Sequence, residues 1–319
     1  MNAAVLHTLG KPPQLKPFPE PSPGDGEVIV HVRAAALKPV DKQIASGSHY
    51  ARPRELPVVC GADGVGHLDD GRRVFFGGPR PPYGAMAERT VVRFAQCFPV
   101  PDDLDDATAA AIPNPGVSAW LSLKHRARLA PGETVLILGA TGVTGKLAVQ
   151  IAKTLGAGRV VAAGRNEEAL NTLNELGADA TIRLDQTDQD LIEAFRREAG
   201  EKGFDVIIDY LWGRPTEVLL AAITRAEFAA AGSEMRLVEV GESAGPTITL
   251  PAAVLRSTAL TIVGTAGIPP KEVLTDALQQ VMNHAARGKL RVDIERVPLK
   301  DIEGAWERDV RGRRLVVIP

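Results

Sequence analysis

Cysteine is scarce in this chain of 319 residues, which contains only Cys60 and Cys97. Two thiols cannot build a disulfide framework or a four-cysteine zinc site. Aromatic residues amount to 4%, too few for rows of base-stacking rings, so the core must be aliphatic. No charge of one sign dominates: 37 Lys and Arg face 39 Asp and Glu, a formal net charge of -2. That balance gives no long-range attraction to nucleic acid or to an anionic membrane. No run of about 18 apolar residues is free of charge, so no membrane helix is expected. The opening Met1-Asn2-Ala3-Ala4 lacks the basic start and long apolar core of a signal peptide. A cytoplasmic protein is expected, with neither nucleic acid nor membrane as partner.

Hydrophobic residues at 45% and charged residues at 24% are ordinary for a globular protein. The length suits about two domains. Pro12, Pro13, Pro17, Pro19, Pro21 and Pro23 crowd the start, and short extended runs follow at Glu27–Arg33, Arg73–Phe76 and Glu88–Val92. Such a texture predicts an irregular, largely antiparallel β domain. After Pro113-Asn114-Pro115-Gly116 it changes. A helix is expected over Ala119–Ala130, then strands and helices alternate. Strands are expected at Thr134–Leu138, Arg159–Ala163, Thr181–Ile182, Phe204–Ile208, Met235–Val240 and Leu260–Val263. Helices are expected at Lys146–Leu155, Glu167–Leu176 and Asp188–Ala199. Alternation of this kind predicts a parallel sheet with helices on both faces. One more helix, Lys271–Arg287, precedes the apolar tail Leu315–Ile318, which could return to complete the first domain.

Between the first parallel strand and its helix stands Gly139-Ala140-Thr141-Gly142-Val143-Thr144-Gly145. A glycine triplet alone is a weak signal. Here it leaves an aliphatic strand and opens a helix, the setting in which such a loop cradles a pyrophosphate. Gly142 lets the backbone approach the phosphates, Gly145 lets helix and strand pack closely, and the helix N-terminus supplies amide donors. The next strand ends in Ala163-Gly164-Arg165-Asn166, with no carboxylate where an NAD site places one for the ribose 2′-hydroxyl. Arg165 can pair with a 2′-phosphate and Asn166 can add a donor, so NADPH is the expected cofactor.

Taken together, Leu37–Asp41, Ile44–Gly47, Leu56–Gly66, Pro113–Ala119, Gly139–Gly145, Asp205–Asp209 and Gly312–Pro319 resemble the medium-chain dehydrogenase/reductase superfamily. Within it the chain is similar to the zinc-free, zeta-crystallin-like quinone oxidoreductases, over essentially its full length. The resemblance implies an α/β protein with a GroES-like β-rich catalytic domain, residues 1–115 and 267–319. It implies a Rossmann domain with a doubly wound parallel sheet between them, residues 116–266, and an active site in the cleft. Zinc-dependent relatives carry ligands at the positions of Lys38 and Ala62, which cannot supply a thiolate or an imidazole, so no metal is expected.

The resemblance also places Ser118 beside the cofactor, with Tyr210, Leu211, Val240, Gly241, Gly264, Thr265 and Ala266 on the loops after the last three strands. Arg183 could reach the adenosine end. Lys38 stands where the zinc-free relatives commonly carry Asn; it could polarise a substrate carbonyl, or simply pair with Asp41 or Asp63. Tyr50 and His49 could face the substrate or merely fill a loop. The implied reaction is NADPH-dependent hydride transfer to a small-molecule electron acceptor, a quinone or an α,β-unsaturated carbonyl. Alternatives are reduction of a 2-enoyl thioester and a non-catalytic NADPH-binding protein. A homodimer joined at the strand near Leu260–Val263 is expected.

Overall fold

The computed structural model describes residues 1–224, 234–265, 267 and 269–319. The chain divides into two compact units, Met1–Asn114 with Gln279–Pro319, and Pro115–Leu278.

The first unit opens with β1 (Asn2–Leu6), β2 (Gln14–Pro17), β3 (Glu27–Leu37) and α1 (Pro39–Ser46). It continues through β4 (Val58–Val59), β5 (Asp63–Leu68), β6 (Arg73–Gly77), β7 (Arg89–Arg93), β8 (Cys97–Pro99) and α2 (Asp106–Ala111). The second unit carries α3 (Pro113–Leu121), β9 (Thr134–Leu138), α4 (Val143–Thr154), β10 (Arg159–Gly164), α5 (Glu167–Asn171) and β11 (Ala180–Arg183). There follow α6 (Asp188–Ala199), β12 (Val206–Asp209), α7 (Gly213–Ile223), β13 (Met235–Glu239), α8 (Ala252–Ser257) and β14 (Leu260–Gly264). Helix α9 (Lys271–Ala286) leads back to the first unit, which ends in β15 (Ile294–Pro298), α10 (Ile302–Trp306) and β16 (Arg314–Ile318).

In the first unit β3 is the long central strand. It pairs antiparallel with β5 and β7, and β16 adds antiparallel to its end through Leu315↔Leu37 and Val317↔Ala35. Only β15 and β16 run parallel among its described pairs. The apolar tail thus returns to the first unit, and Leu315 and Val317 join Phe76, Met86, Ile302 and Trp306 in its core.

The second unit has one sheet in the order β11-β10-β9-β12-β13-β14, all pairs parallel. This is a Rossmann sheet. Residues Val135–Leu138 of β9 are each 0% exposed, as a strand covered on both faces requires. The strand order reverses between β9 and β12, and in open α/β sheets such a switch point is where ligands bind.

Several element boundaries differ from the sequence expectation: the helix expected over Glu167–Leu176 ends at Asn171, with a 3-10 turn at Asn174–Leu176, and the strand expected from Phe204 runs Val206–Asp209. Two further differences have a plain physical reason. Pro113 opens α3 instead of ending the preceding segment, because proline needs no intrahelical N–H acceptor in a first turn. The last turns of this helix widen into a π-helix over Ser122–Arg126. Helix α4 starts at Val143, three residues before the expected Lys146, because the glycine loop itself forms the helix entrance.

Candidate functional site

The loop after β9 is tightly built. Gly139 has φ +84, a left-handed conformation suited to glycine, and its N–H and that of Ala140 both donate to the Ala163 carbonyl at 2.9 Å. A Cβ on Gly145 would lie 2.3 Å from the Gly139 oxygen and 2.6 Å from the Ala140 Cα. Gly145 is therefore needed so that α4 can close on the loop. A Cβ on Gly164 would lie 2.6 Å from Thr141 Cγ2, so the end of β10 rests directly on the loop.

Gly142 is different. Its φ of -76 suits any residue, and a Cβ there would have a single neighbour, the Gly139 oxygen at 3.5 Å. Nothing in the protein fold demands glycine at this exposed position. As N-cap of α4 it offers no side chain to the amides of the first turn, which include Val143 and Thr144. Those N–H groups have no intrahelical acceptor and carry the positive end of the helix dipole. An open glycine before an uncapped helix start is a cradle for phosphate oxygens.

Beyond β10, Arg165 is exposed and makes no ion pair with a described residue. Asn166 is already engaged, since its Oδ1 accepts from the Ala169 N–H at 2.8 Å and caps α5, which leaves only its amide NH2 to donate elsewhere. Arg183 lies in register with Gly164 but is paired, to Glu167 at 2.9 Å and to Asp185 at 2.9 Å. Its guanidinium is shared between two carboxylates, so Arg165 is the uncommitted cation at this strand end.

The loops after β12 and β13 close the other side of the switch point. A Cβ on Gly139 would meet Leu211 Cδ2 at 3.0 Å and Tyr210 Cβ at 3.2 Å. The Tyr210 carbonyl accepts from the Ser243 hydroxyl at 2.9 Å, while the N–H groups of Val240 and Gly241 donate to the Asp209 carbonyl. Thr141, Gly164, Tyr210, Leu211, Val240 and Gly241 are thus contiguous around the Gly139 turn. The Tyr210 hydroxyl is buried without a hydrogen-bond partner among the described residues, and burial pushes its phenol up from the usual value. Ser118 stands half-buried on α3, and Gly264 lies in register with Glu239 at the exposed end of β14, followed by exposed Thr265. Ala266 lies outside the described residues.

Sequence reading missed Asp209. It is 0% exposed, and its carboxylate accepts from the N–H of Leu211 at 2.8 Å, the N–H of Trp212 at 3.0 Å and the Thr216 hydroxyl. Burial pushes its carboxyl above the usual range, and the three donors pull it part of the way back. The signal present in the sequence was a charged residue ending an otherwise apolar strand.

In the first unit Lys38 is 1% exposed and lies in a cluster of charges. Its Nζ donates to the Ala36 carbonyl at 2.9 Å and Asp63 Oδ1 at 2.9 Å, with Asp41 Oδ2 at 3.1 Å. Two protein acceptors take its hydrogens, and Asp41 adds an ion pair at hydrogen-bond distance. Burial disfavours its charge, but the Asp41 and Asp63 carboxylates outweigh that and hold the Lys38 ammonium above its usual value. Asp41 also accepts from the backbone N–H groups of Lys38 and Ala62. Buried Arg314 donates to the Leu37 carbonyl at 3.2 Å, near enough for its charge to act on Asp41 and Asp63. Tyr50, by contrast, is 94% exposed, its ring stacked on His49 at 4.0 Å between centroids. Burial, with Asp41 nearby, pushes the Cys60 thiol up to about 12, which removes it as a nucleophile at neutral pH.

The family of zinc-binding dehydrogenases matches residues 143–283, a stretch that includes neither Lys38 nor Ala62. The quinone oxidoreductase of Sus scrofa is 33% identical over 228 residues, which span 66% of this chain and 66% of that protein. A quinone oxidoreductase-like protein 2 homolog of Nematostella vectensis is 27% identical over 304 residues, or 91% of this chain and 80% of that one. The quinone oxidoreductase of Thermus thermophilus, whose structures include a complex with NADPH, superposes with a TM-score of 0.80 at 29% identity and covers all of both chains. The chain belongs to the medium-chain dehydrogenase/reductase family, in its zinc-free, quinone-oxidoreductase-like branch.

Proposed function

We propose that this protein is an NADPH-dependent reductase that transfers hydride, without a metal, to a quinone or an α,β-unsaturated carbonyl. The observation that carries the reading is the phosphate cradle at the switch point: open Gly142, the uncapped start of α4 and, one strand away, unpaired Arg165. Residues Ala140–Thr144 would hold the pyrophosphate with backbone amides. Gly164 brings the backbone close, Arg165 would pair with the 2′-phosphate, and the Asn166 amide can donate beside it. Tyr210, Leu211, Val240 and Gly241 would flank the rest of the cofactor.

Bound NADPH supplies the hydride donor. The protein has then to hold an electron-poor acceptor, keep water away and stabilise the charge that develops on the acceptor oxygen. Of the two residues expected to serve that oxygen, Lys38 is already held by Ala36, Asp63 and Asp41, whereas the exposed Tyr50 hydroxyl is free to donate. Metal is not needed for such a step. The residue types at the two positions agree with this reading: Lys38 and Ala62 offer neither a thiolate nor an imidazole.

Among the described residues strand β14 ends the sheet, and its side chains are half-exposed or exposed. An unpaired edge of this kind supports a homodimer in which β14 pairs with its copy; sedimentation of a monomer at micromolar concentration would count against it. Free thiols at Cys60 and Cys97 suit a reducing, cytoplasmic setting. Among the described residues, no helix is long and apolar enough to cross a membrane.

The functional test is loss of 340-nm absorbance when purified protein is mixed with NADPH and a panel of quinones, enones and enoyl thioesters. Turnover with a quinone or enone is the expected result. Turnover of enoyl thioesters alone would move the substrate class, and NADPH binding without any turnover would favour a non-catalytic role.

A further inference from the structure

The loop Tyr210-Leu211-Trp212 follows an unusual path. Trp212 has φ +53 and ψ -162, a region that is essentially reserved for glycine. Such a conformation is costly for a residue with a side chain and persists only where its surroundings impose it. Here the imposing group is visible. The buried Asp209 carboxylate gathers the N–H groups of Leu211 and Trp212, and the Thr216 hydroxyl from the first turns of α7 fixes its other oxygen. The constrained loop then lies against the phosphate turn, with Leu211 Cδ2 and Tyr210 Cβ 3.0 and 3.2 Å from where Gly139 would carry a Cβ. Gly213, with φ +61, lets the chain enter α7 directly afterwards; a Cβ there would meet the Ala244 oxygen at 2.8 Å.

We propose that Asp209 is a positioning residue for the nicotinamide cofactor: through Leu211, Trp212 and Thr216 it locks the loop after β12 in the strained shape that forms one wall of the cofactor pocket beside Gly139. The proposal rests on the cofactor reading above. Asp209 touches no phosphate or ring itself; it acts on the loop. A carboxylate is the suitable group because one oxygen accepts two converging N–H donors while the other holds a hydroxyl. An asparagine can imitate the first of these through its Oδ1 and can donate its amide to Thr216. An alanine can do neither, and Trp212 is then free to relax toward an ordinary backbone conformation.

The test is the NADPH dissociation constant, followed by fluorescence titration, for the wild type and for Asp209→Ala, Asp209→Asn and Asp179→Ala. Asp179 is the control. It holds Lys153 and the Val160 N–H at the opposite end of β10, so its loss should lower the melting temperature without touching the loop. Asp209→Ala should weaken binding by at least 10-fold. Asp209→Asn should recover most of that loss. If the alanine variant does not fold, Thr216→Val, which removes only the hydroxyl donor, takes its place and should weaken binding by about 3-fold or more, wild-type affinity in it overturning the role. Asp179→Ala should bind within 2-fold of the wild type. Wild-type affinity in Asp209→Ala, or an equal weakening in Asp179→Ala, would overturn the positioning role while leaving the cofactor reading intact. Absence of NADPH binding by the wild type would overturn both.

Discussion

The Lys38 ammonium lies 2.9 Å from Asp63 Oδ1, and both side chains are withdrawn from solvent, Lys38 at 1% and Asp63 at 11% exposure. A lysine so buried survives as a cation because Asp41 supplies a second carboxylate and Ala36 a carbonyl. Removing the ammonium from such a group leaves two buried carboxylates with backbone N–H donors to Asp41 and the more distant charge of Arg314. Lys38→Met should therefore cost about 3–5 kcal/mol, read by denaturant unfolding. A loss under about 1 kcal/mol would show that the cluster is neutral to stability.

The same cluster predicts an alkaline limb. Because the folded state holds the Lys38 pKa above its ordinary 10.5, the protein binds that proton more tightly folded than unfolded. The stabilisation is complete below about 10.5 and is lost as pH rises through the elevated folded value. Melting temperatures measured up the alkaline range should fall more steeply for the wild type than for Lys38→Met. Parallel curves would contradict the assignment.

At Arg165 the effect should appear in specificity, since the side chain has no ion-pair partner among the described residues to lose. Arg165→Ala should raise the KM for NADPH by roughly 10- to 100-fold, the value of a charge-assisted phosphate contact, and change that for NADH little. Equal changes for both cofactors would remove Arg165 from the 2′-phosphate.

Gly142→Asp separates binding from folding. Aspartate is a favoured N-cap and the backbone there tolerates a side chain, so the melting temperature should hold or rise slightly. The added carboxylate would stand in the phosphate cradle and should weaken NADPH binding by more than about 10-fold. Unchanged binding would mean that α4 does not face the pyrophosphate.

Tyr50→Phe tests the free hydroxyl. If it donates to the acceptor oxygen, kcat should fall by roughly 100-fold while the NADPH dissociation constant stays the same. An unaltered kcat would return Tyr50 to the role of an exposed loop residue.

The Rossmann unit was legible in the sequence because its strands are short aliphatic runs separated by helices, and each covered strand must read that way. The glycine loop was legible for the same reason: Gly139 and Gly145 are fixed by backbone conformation and contact, and Gly142 stands out as a glycine that the fold does not require. Helix boundaries were less so. Pro113 reads as punctuation but is tolerated in the first turn of α3, and the passage between units at Leu278 and Gln279 falls within α9, where no proline or glycine marks it.

The polar interior was the least legible part. Lys38, Asp41 and Asp63 lie up to 25 residues apart and Arg314 near the other end of the chain, so only the folded β3, α1, β5 and β16 bring them together. Asp209 reads as the polar end of a strand; an aspartate favours bonding the N–H groups two and three residues on, but the positive φ of Trp212 that goes with it here is against that residue's preference.

The most direct measurement is NADPH consumption by protein treated with a strong chelator and offered quinones and enones. Metal-independent hydride transfer requires saturable NADPH binding, tighter than that of NADH, with turnover of at least one acceptor that survives chelation. Loss of all turnover on chelation, restored by zinc, or no NADPH binding at all, would contradict it.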